Sequence, residues 1–305
     1  MPDAEVLCLG ESMVSLTPMD GQPLADSRSA ALAVAGAEST VAQYLADLGH
    51  RTAWASRVGA DPFGDRVLAE LSRSGVDVRH VERDPAAPTG VFFKDPAPDG
   101  TRVHYYRAGS AASRLTPTYL DRLPVASARL VHLSGITPAL SASCAATATE
   151  LLARAGAAGV PRSFDVNHRP GLWDADTARA PLLALARRSD VVFVGLDEAR
   201  AVWDVATPED VRDLIGSSVS IVVKNADIGA TLFEPGARGG VFVPAEPAEV
   251  VEPVGAGDAF AAGYLSAWLQ GADPRERLLT GHRVAAFALG SLGDHTDASS
   301  LRTVG

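Results

Sequence analysis

Gly255, Ala256, Gly257 and Asp258 stand where an extended run of the chain passes into a predicted helix. The first backbone N–H groups of a helix have no intrahelical acceptor, and a helix N-terminus carries about half a positive charge. The amides of this turn can therefore form an anion hole. A carboxylate beside such a hole can accept the proton of a hydroxyl group while the hole holds a phosphoryl group. The spacing indicates phosphoryl transfer, although a capping aspartate on a glycine-rich turn gives the same short pattern.

Two other polar clusters follow predicted strands. Asn167 and Arg169 come directly after the apolar run 163–166, and Lys224 follows the run 221–223. In an open α/β sheet, ligands bind beyond the carboxyl ends of the strands, so we expect these side chains to lie beside the anion hole. Neither lysine of the chain closes a GxxxxGK[ST] sequence, and no HRD catalytic loop is present. Residue 260 is Phe where a dinucleotide GxGxxG motif needs glycine, so the P-loop, protein-kinase and Rossmann interpretations are all weakened.

The elements that position these residues follow from hydrophobic periodicity. Apolar residues at helical spacing predict one helix that ends at Gly49 and another that ends at Gly75. Continuously apolar runs predict strands covered on both sides, as in a parallel sheet with helices on both faces. These strands are predicted at 130–133, 163–166, 191–194 and 221–223. We therefore predict an α/β fold with a mainly parallel central sheet.

Shorter segments in the N-terminal third mix apolar with polar and aromatic residues. They lie at 13–17, 90–94 and 102–107, between the helices of the main body. We predict that they form a small separate β-sheet within residues 12–36 and 88–108, inserted in one domain that spans 1–305. Such a sheet over the carboxyl ends of the central strands would be a lid that excludes water from phosphoryl transfer.

Composition limits the function classes. The chain has 305 residues, of which 47% are hydrophobic and 21% charged, and its net charge is −10. A strongly negative chain disfavours nucleic acid as a partner. Since no apolar stretch reaches about 18 residues and no basic region precedes the first strand, we expect no membrane association and a cytoplasmic location. Cys8 and Cys144 lack disulfide or metal spacing and are predicted to be packing residues.

The basic residues are unevenly divided between the two types. Lysine occurs only at positions 94 and 224, and arginine supplies almost all of the remaining positive charge. We attribute this bias to genome composition rather than to chemistry. Among the histidines, His132 lies in an apolar strand and is predicted to be a core residue.

At the level of whole motifs, the chain resembles the ribokinase-like (PfkB) carbohydrate kinases, whose C-terminal signature is close to DTVGAGDAF. Here the corresponding segment reads EPVGAGDAF over residues 252–260. Within that family it is most similar to 2-keto-3-deoxygluconate kinases, through segments that span about residues 5–298. These segments are GE at 10–11, GAE at 36–38, YYRAGSA at 105–111, HLSGITPAL at 132–140, DVNHR at 165–169 and GDH at 293–295. The resemblance implies a three-layer α/β/α fold with a small β lid.

The resemblance also implies roles for residues around the acceptor. Asp258 would be the base for the acceptor hydroxyl, and Gly255, Ala256 and Gly257 would form the anion hole. Tyr105 and Arg107 would reach from the lid to a sugar acid, because a guanidinium group matches a carboxylate with two parallel hydrogen bonds. Further acceptor-binding residues implied in this way are Gly36, Ala37, Glu38, Phe92, Arg169 and Asp294. Phe92 stands where the family often has a tyrosine that contacts the substrate.

On the nucleotide side, the resemblance implies ATP and Mg²⁺ as cofactors. Asn167 would lie near the phosphates, where Arg169 would neutralise their oxygens, and Glu198 would act on magnesium through water, with no direct protein ligand to the metal. The remaining residues implied on this side are Lys224, Asn225, Gly229, Gly257 and His282, the last beside the adenine. Self-association through the lid is a further expectation from the family.

Several positions depart from the family pattern. Ala35 replaces a glycine, Thr40 replaces an asparagine, and the NxxE motif is reduced to the residues from Gly195 to Glu198. Ala226 replaces a glycine in the loop after Lys224. Three hypotheses therefore remain: an ATP-dependent kinase that forms 2-keto-3-deoxy-6-phosphogluconate, a related kinase for another sugar of the fructose or ribose type or for a nucleoside, and a catalytically weak sugar-binding regulator.

Overall fold

The structure is a computed structural model that describes residues 4–98, 100–251, 254–290, 293 and 295–302. These residues form fourteen strands and nine α-helices, with four short 3-10 helices between them. The strands are β1 (Val6–Leu9), β2 (Met13–Pro18), β3 (Ala30–Ala35), β4 (Thr52–Ala55), β5 (Arg57–Gly59), β6 (Glu82–Asp84), β7 (Val91–Ala97), β8 (Gly100–Tyr106), β9 (Leu130–Ser134), β10 (Arg162–Asp165), β11 (Val191–Gly195), β12 (Ser220–Asn225), β13 (Gly229–Phe233) and β14 (Val241–Pro244). The helices are α1 (Ala37–Asp47), α2 (Pro62–Arg73), α3 (Ile136–Ala139), α4 (Ala142–Ala157), α5 (Ala175–Ala186), α6 (Leu196–Trp203), α7 (Pro208–Ile215), α8 (Ala256–Leu269) and α9 (Pro274–Leu289).

An eight-stranded sheet forms the centre of the fold, in the order β14-β13-β12-β11-β10-β9-β1-β4. The six strands from β12 to β4 in this order are parallel, and β13 and β14 extend the sheet with antiparallel pairs. Every residue of β9 and β11 is buried, because helices cover both faces of the sheet. The predicted strands at 130–133, 163–166, 191–194 and 221–223 are confirmed as β9 to β12.

Local sequence signals set the helix boundaries. Asp61 caps α2, since its side chain accepts a hydrogen bond of 2.8 Å from the amide of Gly64, and Pro62 occupies the first turn. The predicted helices that end at Gly49 and Gly75 are confirmed as α1 and α2, and both glycines have a positive φ.

Helix α8 lies between α1 and α9 and is buried along almost its whole length. Small residues make this position possible. A Cβ atom on Gly263 would lie 2.6 Å from the carbonyl oxygen of Thr280, so α8 and α9 pack with their backbones in close approach. The N-terminus of α8 is therefore fixed by packing on two sides.

A second sheet of four strands has the order β3-β2-β7-β8, and its strands fall within residues 12–36 and 88–108. All seven residues of β8 are exposed, unlike those of the central strands. A third sheet pairs β5 with β6. No helix in the part of the chain that the structure describes is long and apolar enough to cross a membrane.

Core predictions hold at the cysteines and at His132. Cys8 and Cys144 are buried free thiols. His132 is 1% exposed, and its Nδ1 lies 3.1 Å from the hydroxyl of Ser163. Burial lowers the pKa of His132 to about 4, so the imidazole is neutral in the core at pH 7.

Candidate active site

A cavity of about 620 Å³ lies between the carboxyl ends of the central strands and the four-stranded sheet. The cavity is lined by the ends of the central strands, by the first turns of α1, α3, α6 and α8, and by the four-stranded sheet, which we call the lid. This is the edge where an open parallel sheet binds ligands. The predicted site residues that line the cavity are Gly36, Ala37, Phe92, Tyr105, Arg107, Asn167, Arg169, Glu198, Lys224, Gly255, Gly257 and Asp258.

The first turn of α8 opens onto this cavity. Gly255 caps the helix in a left-handed conformation with φ of 82°, which costs a glycine little, and no side chain caps the helix. The amides of the first turn therefore face outward with the positive end of the helix dipole. Asp258 lies in this turn, and only 9% of its surface is exposed. The arrangement combines anion-binding amides with a carboxylate in one turn.

Asn167 connects this turn to the sheet. It follows β10 with φ of 36°, a conformation that asparagine tolerates better than most residues. Its Nδ2 lies 3.4 Å from Oδ1 of Asp258, and its amide N–H donates to Asp165. The Oδ1 atom of Asn167 is buried and has no hydrogen-bond partner in the structure. Because an unsatisfied buried acceptor is costly, this atom marks a place for a donor or a cation supplied by a ligand.

Lys224 brings a positive charge next to the helix N-terminus. Its Nζ donates to Oδ2 of Asp165 at 2.8 Å, and a Cβ atom on Gly257 would lie 3.5 Å from the same Nζ. Burial lowers the pKa of Lys224, but the charges of Asp165, Glu198 and Asp258 outweigh burial and raise the pKa overall. The ammonium group is therefore charged at neutral pH and lies within reach of an anion in the hole.

Glu198 is an acid of the cavity whose pKa is strongly perturbed. Its Oε2 accepts a hydrogen bond of 2.9 Å from the amide of Gly195, and its Oε1 lies 3.8 Å from Nη1 of Arg169. Burial and the nearby Asp165 carboxylate raise the pKa of Glu198 to about 7, against the opposing effect of Lys224. A carboxyl group that titrates near neutrality in a cavity is typical of functional sites.

Gly195 leaves room for an acid that the sequence did not indicate. A Cβ atom at position 195 would lie 2.5 Å from Oδ1 of Asp197, and Asp197 also lines the cavity. The carboxylate of Asp197 therefore occupies the space next to the backbone of Gly195 in which any larger residue at position 195 would place its side chain. The reduced NxxE segment thus presents two carboxylates to the cavity.

The lid closes the other side of the cavity. Phe92 and Tyr105 pair across β7 and β8 with ring centroids 5.6 Å apart, and the guanidinium carbon of Arg107 lies 5.6 Å from the Tyr105 ring centroid. Arg107 forms an ion pair with Glu11, a residue that is 2% exposed. The hydroxyl of Ser110 donates to Glu11 at 2.6 Å. Arg107 is therefore held at the cavity wall with its charge balanced by a buried carboxylate.

Glu38 is not brought to the cavity, in contrast to the prediction that it binds the acceptor. Its side chain is fully buried, and its Oε1 accepts hydrogen bonds from the Ser134 amide, the Ser134 hydroxyl and the Thr137 hydroxyl at 2.7 to 3.0 Å. Gly10 packs against it, since a Cβ there would lie 2.1 Å from the Glu38 carboxyl carbon. Burial raises the pKa of Glu38. This residue joins α1 to β9.

Asn225, Gly229 and His282, for which nucleotide contacts were predicted, do not line the cavity themselves, although Asn225 lies between the lining residues Lys224 and Ala226. Asn225 and Gly229 pair with each other at the β12–β13 turn, and a Cβ on Gly229 would lie 2.3 Å from the Val243 carbonyl oxygen. His282 packs against Phe260 at 5.1 Å between ring centroids, and its Nε2 lies 3.2 Å from the same carbonyl. These three residues shape the hairpin beside the cavity.

The remaining expectations concern Asp294 and the altered positions. Asp294 lies outside the described residues. Ala226, with φ of 44°, lines the cavity in the left-handed conformation that suits the glycine it replaces. Ala35 also lines the cavity, whereas Thr40 is buried at 1% exposure within α1. The substitutions at positions 35 and 226 therefore fall at the cavity wall, whereas the one at position 40 lies in the protein interior.

Sequence reasoning missed several residues that line the cavity: Glu11, Met13, Lys94, Val103, Ile136, Asp165 and Asp197. A signal was available for the lid residues. Alternation along a strand places every second residue on one face, so Phe92 and Tyr105 imply that Lys94 and Val103 share their face. For Asp165, the last residue of a buried strand at the ligand edge was itself the signal.

Comparisons with known proteins agree with this geometry. The sequence profile of the pfkB family of carbohydrate kinases matches residues 3–301. A 2-dehydro-3-deoxygluconokinase from Thermoproteus tenax is 35% identical over 97% of this chain and 92% of its own length. Another from Bacillus subtilis is 35% identical over 95% of this chain and 91% of its own length.

A solved structure extends the comparison to the fold. An Escherichia coli protein described as ribokinase II, in complex with ATP and Mg²⁺, has a TM-score of 0.85, covers 96% of this chain and 94% of its own, and is 24% identical. The predicted ribokinase-like α/β fold is thereby confirmed. The chain belongs to the PfkB family of carbohydrate kinases, which are phosphotransferases that act on sugars.

Proposed function

We propose that this protein is an ATP-dependent sugar-acid kinase that phosphorylates the primary hydroxyl of 2-keto-3-deoxygluconate. The observation that carries the proposal is that the first turn of α8, with Asp258, opens into the same cavity that Arg107 lines from the lid. A base beside an anion hole suits phosphoryl transfer to an alcohol, and a guanidinium group on the opposite wall suits a carboxylate. The T. tenax and B. subtilis relatives carry the same activity in their names.

In the proposed reaction, Asp258 accepts the proton of the acceptor hydroxyl as that oxygen forms a bond to the γ-phosphorus of ATP. The bond between the γ-phosphorus and the β,γ-bridging oxygen breaks, and ADP leaves with that oxygen. The amides of Ala256, Gly257 and Asp258 hold the transferring oxygens, and Lys224 balances their charge. Catalysis by these residues is mostly positioning and charge stabilisation.

Mg²⁺ is expected to bind together with ATP. The carboxylate and amide oxygens of the cavity suit contacts to the metal through water rather than direct coordination. Among the described residues, no group of three or more His, Cys, Asp or Glu side chains could hold a metal directly. Magnesium usually keeps several waters and binds substrate phosphates, so carboxylates that act through water are sufficient. Glu198, Asp197 and the unpartnered Oδ1 of Asn167 would hold those waters, and magnesium would neutralise phosphate charge.

An assay of ADP formation with Mg²⁺ tests the proposal directly. We expect 2-keto-3-deoxygluconate to give the highest kcat/KM in a panel that also contains its C4 epimer, gluconate, fructose, ribose and a nucleoside. Phosphorus NMR of the product should show a phosphate monoester on the primary carbon. A higher kcat/KM for fructose or ribose would overturn the substrate assignment, and sugar-acid binding without turnover would favour a regulator.

A kinase for a neutral sugar is the second candidate, and one observation favours it. The ion pair with Glu11 already balances the charge of Arg107, so this arginine offers hydrogen bonds but little net attraction for an anion. The same substrate panel separates the two candidates, since they differ in the sign of the preference for acids over neutral sugars.

Self-association through the lid stays a prediction. All of β8 is exposed, including Tyr106 with 66% of its surface accessible. Sedimentation equilibrium of the wild type and of Tyr106→Glu would test it. A charged residue in an interface of this kind should shift the protein to monomers.

A further inference from the structure

Asp165 is a buried carboxylate that lines the cavity, and the proposed reaction gives it no direct task. The residue is only 2% exposed, and both of its carboxylate oxygens are engaged. Oδ2 accepts a hydrogen bond of 2.8 Å from Nζ of Lys224, and Oδ1 accepts one of 3.2 Å from the amide of Asn167. We propose that Asp165 is a positioning residue that holds the ammonium group of Lys224 beside the anion hole, where it meets the phosphoryl end of ATP. This inference rests on the proposed function.

Strand register shows that Lys224 reaches sideways to this carboxylate. Asp165 pairs with Phe193 and Lys224 pairs with Gly195, so strand β11 lies between the two charged residues. Two strand spacings are about 10 Å, a distance that needs a long and extended side chain. The stem of lysine is flexible, and the contact with Asp165 selects one of its conformations. In that conformation Nζ lies next to the first turn of α8, 3.5 Å from the position of a Cβ atom on Gly257.

Three carboxylates from three elements act on Lys224: Asp165 from β10, Glu198 from α6 and Asp258 from α8. The charge of Lys224 also acts on His132 from β9, which is neutral at pH 7 because burial lowers its pKa to about 4. A lysine that paired with Asp258 would stabilise the charged form of that carboxylate, which must accept a proton in the proposed reaction. The hydrogen bond to Asp165 instead directs the ammonium group toward the sheet.

Stability alone does not account for a buried ion pair at this place. The desolvation of two charges offsets most of their attraction, and a well-packed apolar pair of similar volume is often as stable. The two ends of β10 differ in this respect. At the amino end, Arg162 pairs with Asp190, whose side chain is 43% exposed, whereas at the carboxyl end Asp165 is buried. The buried pair is therefore found at the edge of the sheet where ligands bind.

Amine labelling tests this position without turnover, because the chain has only two lysines. Burial lowers the pKa of Lys224, and the charge of Asp165 is the largest of the effects that raise it above its ordinary value. Acetic anhydride acylates the neutral amine, so mass spectrometry of peptides over a pH series gives the titration midpoint of Lys224, with Lys94 as the internal reference. In Asp165→Asn this midpoint should fall by at least about one pH unit.

The wild type supplies two further results from the same labelling. The midpoint of Lys224 should lie above the ordinary value of about 10.4, and a non-hydrolysable ATP analogue with Mg²⁺ should slow its acylation. A wild-type midpoint clearly below the ordinary value would overturn the inference. Acylation of Lys224 that is unaffected by the bound analogue would overturn it as well, since the ammonium group would then not meet the phosphates.

A double-mutant cycle tests whether Asp165 acts through Lys224. Asp165→Asn keeps an oxygen for the Asn167 amide and removes the charge, so kcat/KM for ATP should fall at least about tenfold while KM for the sugar acid changes less than about twofold. Lys224→Met removes the ammonium group and should cause a loss at least as large. In the double variant, Asp165→Asn should add less than about twofold to that loss. Additive losses would overturn the inference, because a merely structural role of Asp165 does not need the lysine.

Asp190→Asn is the matched control. It removes a paired carboxylate at the opposite end of the same strand, where Nε of Arg162 lies 2.8 Å from Oδ2 of Asp190. The kinetic constants and the midpoint of Lys224 should stay as in the wild type. Thermal unfolding identifies any variant that does not fold, and in that case the wild-type midpoint and the protection by the ATP analogue decide.

The outcomes separate this inference from the proposed function. If sugar acids are phosphorylated and the two losses are additive, only the role of Asp165 is wrong. If the wild type turns over neutral sugars alone, the proposed substrate is wrong, and the cycle measured with the preferred sugar decides on Asp165, because ATP is common to both cases. If sugar acids bind without turnover, the proposed kinase activity is wrong, and the labelling of Lys224 decides.

Discussion

The two walls of the cavity are built differently. The sheet wall consists of Asp165, Asn167, Glu198, Lys224 and Asp258, whose charges and amide groups contact one another through hydrogen bonds or close electrostatic interactions. The lid wall consists of Phe92 and Lys94 on β7, Val103 and Tyr105 on the exposed strand β8, and Arg107, which directly follows β8. The first is a dense polar network on a buried scaffold, and the second is a surface of aromatic and basic side chains.

This difference suggests a division of labour. A network at strand ends and a helix N-terminus can hold reacting groups in one geometry, which is what phosphoryl transfer needs whatever the acceptor. A wall of aromatic and basic side chains suits recognition of the acceptor by shape and hydrogen bonding. Changes on the sheet wall should therefore alter kcat for every acceptor, and changes on the lid wall should alter KM according to the acceptor's charge.

The largest expected effect is on the sheet wall, at Asp258. Asp258→Asn keeps the size and the contact with Asn167 but removes the base, so kcat should fall by about two to four orders of magnitude for every acceptor. Stopped-flow or coupled assays of ADP release with a sugar acid and a neutral sugar measure it. KM and the unfolding midpoint should change little, and a kcat within threefold of the wild type would show that Asp258 is not the base.

Glu198 gives a second way to examine the sheet wall, through pH. Its folded pKa of about 7 lies above the usual value for a glutamate, so the folded state binds the proton more tightly than the unfolded chain does. The stability contributed by this proton is full below about pH 4 and is lost as the pH rises through 7. Glu198→Gln can keep the hydrogen bond from Gly195 and should therefore be more stable than the wild type at pH 8, by at most about 3 kcal/mol.

Urea unfolding at pH 5 and pH 8 measures this difference in the free energy of unfolding. The gain should shrink at pH 5, where the wild-type carboxyl is already protonated in the folded state. Glu150→Gln on the exposed face of α4 controls for the loss of a carboxylate at the surface. A gain of equal size at both pH values would contradict the raised pKa.

On the lid wall, Arg107 should produce a smaller and more selective effect. Arg107→Met removes charged hydrogen bonds worth about 1.5 to 3 kcal/mol, so KM for a sugar acid should rise about 10- to 160-fold with little change for fructose. The single substitution also leaves Glu11 buried without its partner, which costs stability. The double variant Arg107→Met with Glu11→Gln should recover stability but keep the raised KM. If the double variant also recovers KM, the effect comes from folding and not from recognition.

The same two walls differ in how far the sequence predicts them. Asp258, Asn167 and Lys224 could be predicted because strand ends and a helix N-terminus meet at one edge of a parallel sheet. The failure at Glu38 has a physical reason, since its partners Ser134 and Thr137 come from β9 and α3, almost a hundred residues away. At His282, tertiary packing against Phe260 decides the position of the ring. Neither long-range contact leaves a local pattern.

The smallest expected effect comes from a substitution that adds a hydroxyl group to the lid wall. Phe92 is 6% exposed at the cavity wall, beside Tyr105. Phe92→Tyr adds a hydroxyl that can bond the acceptor, worth about 0.5 to 1.5 kcal/mol, so KM for the sugar acid should fall about two- to tenfold. Phe93→Tyr is the matched control, because Phe93 lies on the other face of β7 against Tyr106. An equal response of both variants would mean that the lid face does not contact the acceptor, and the division between a catalytic wall and a recognition wall would then fail.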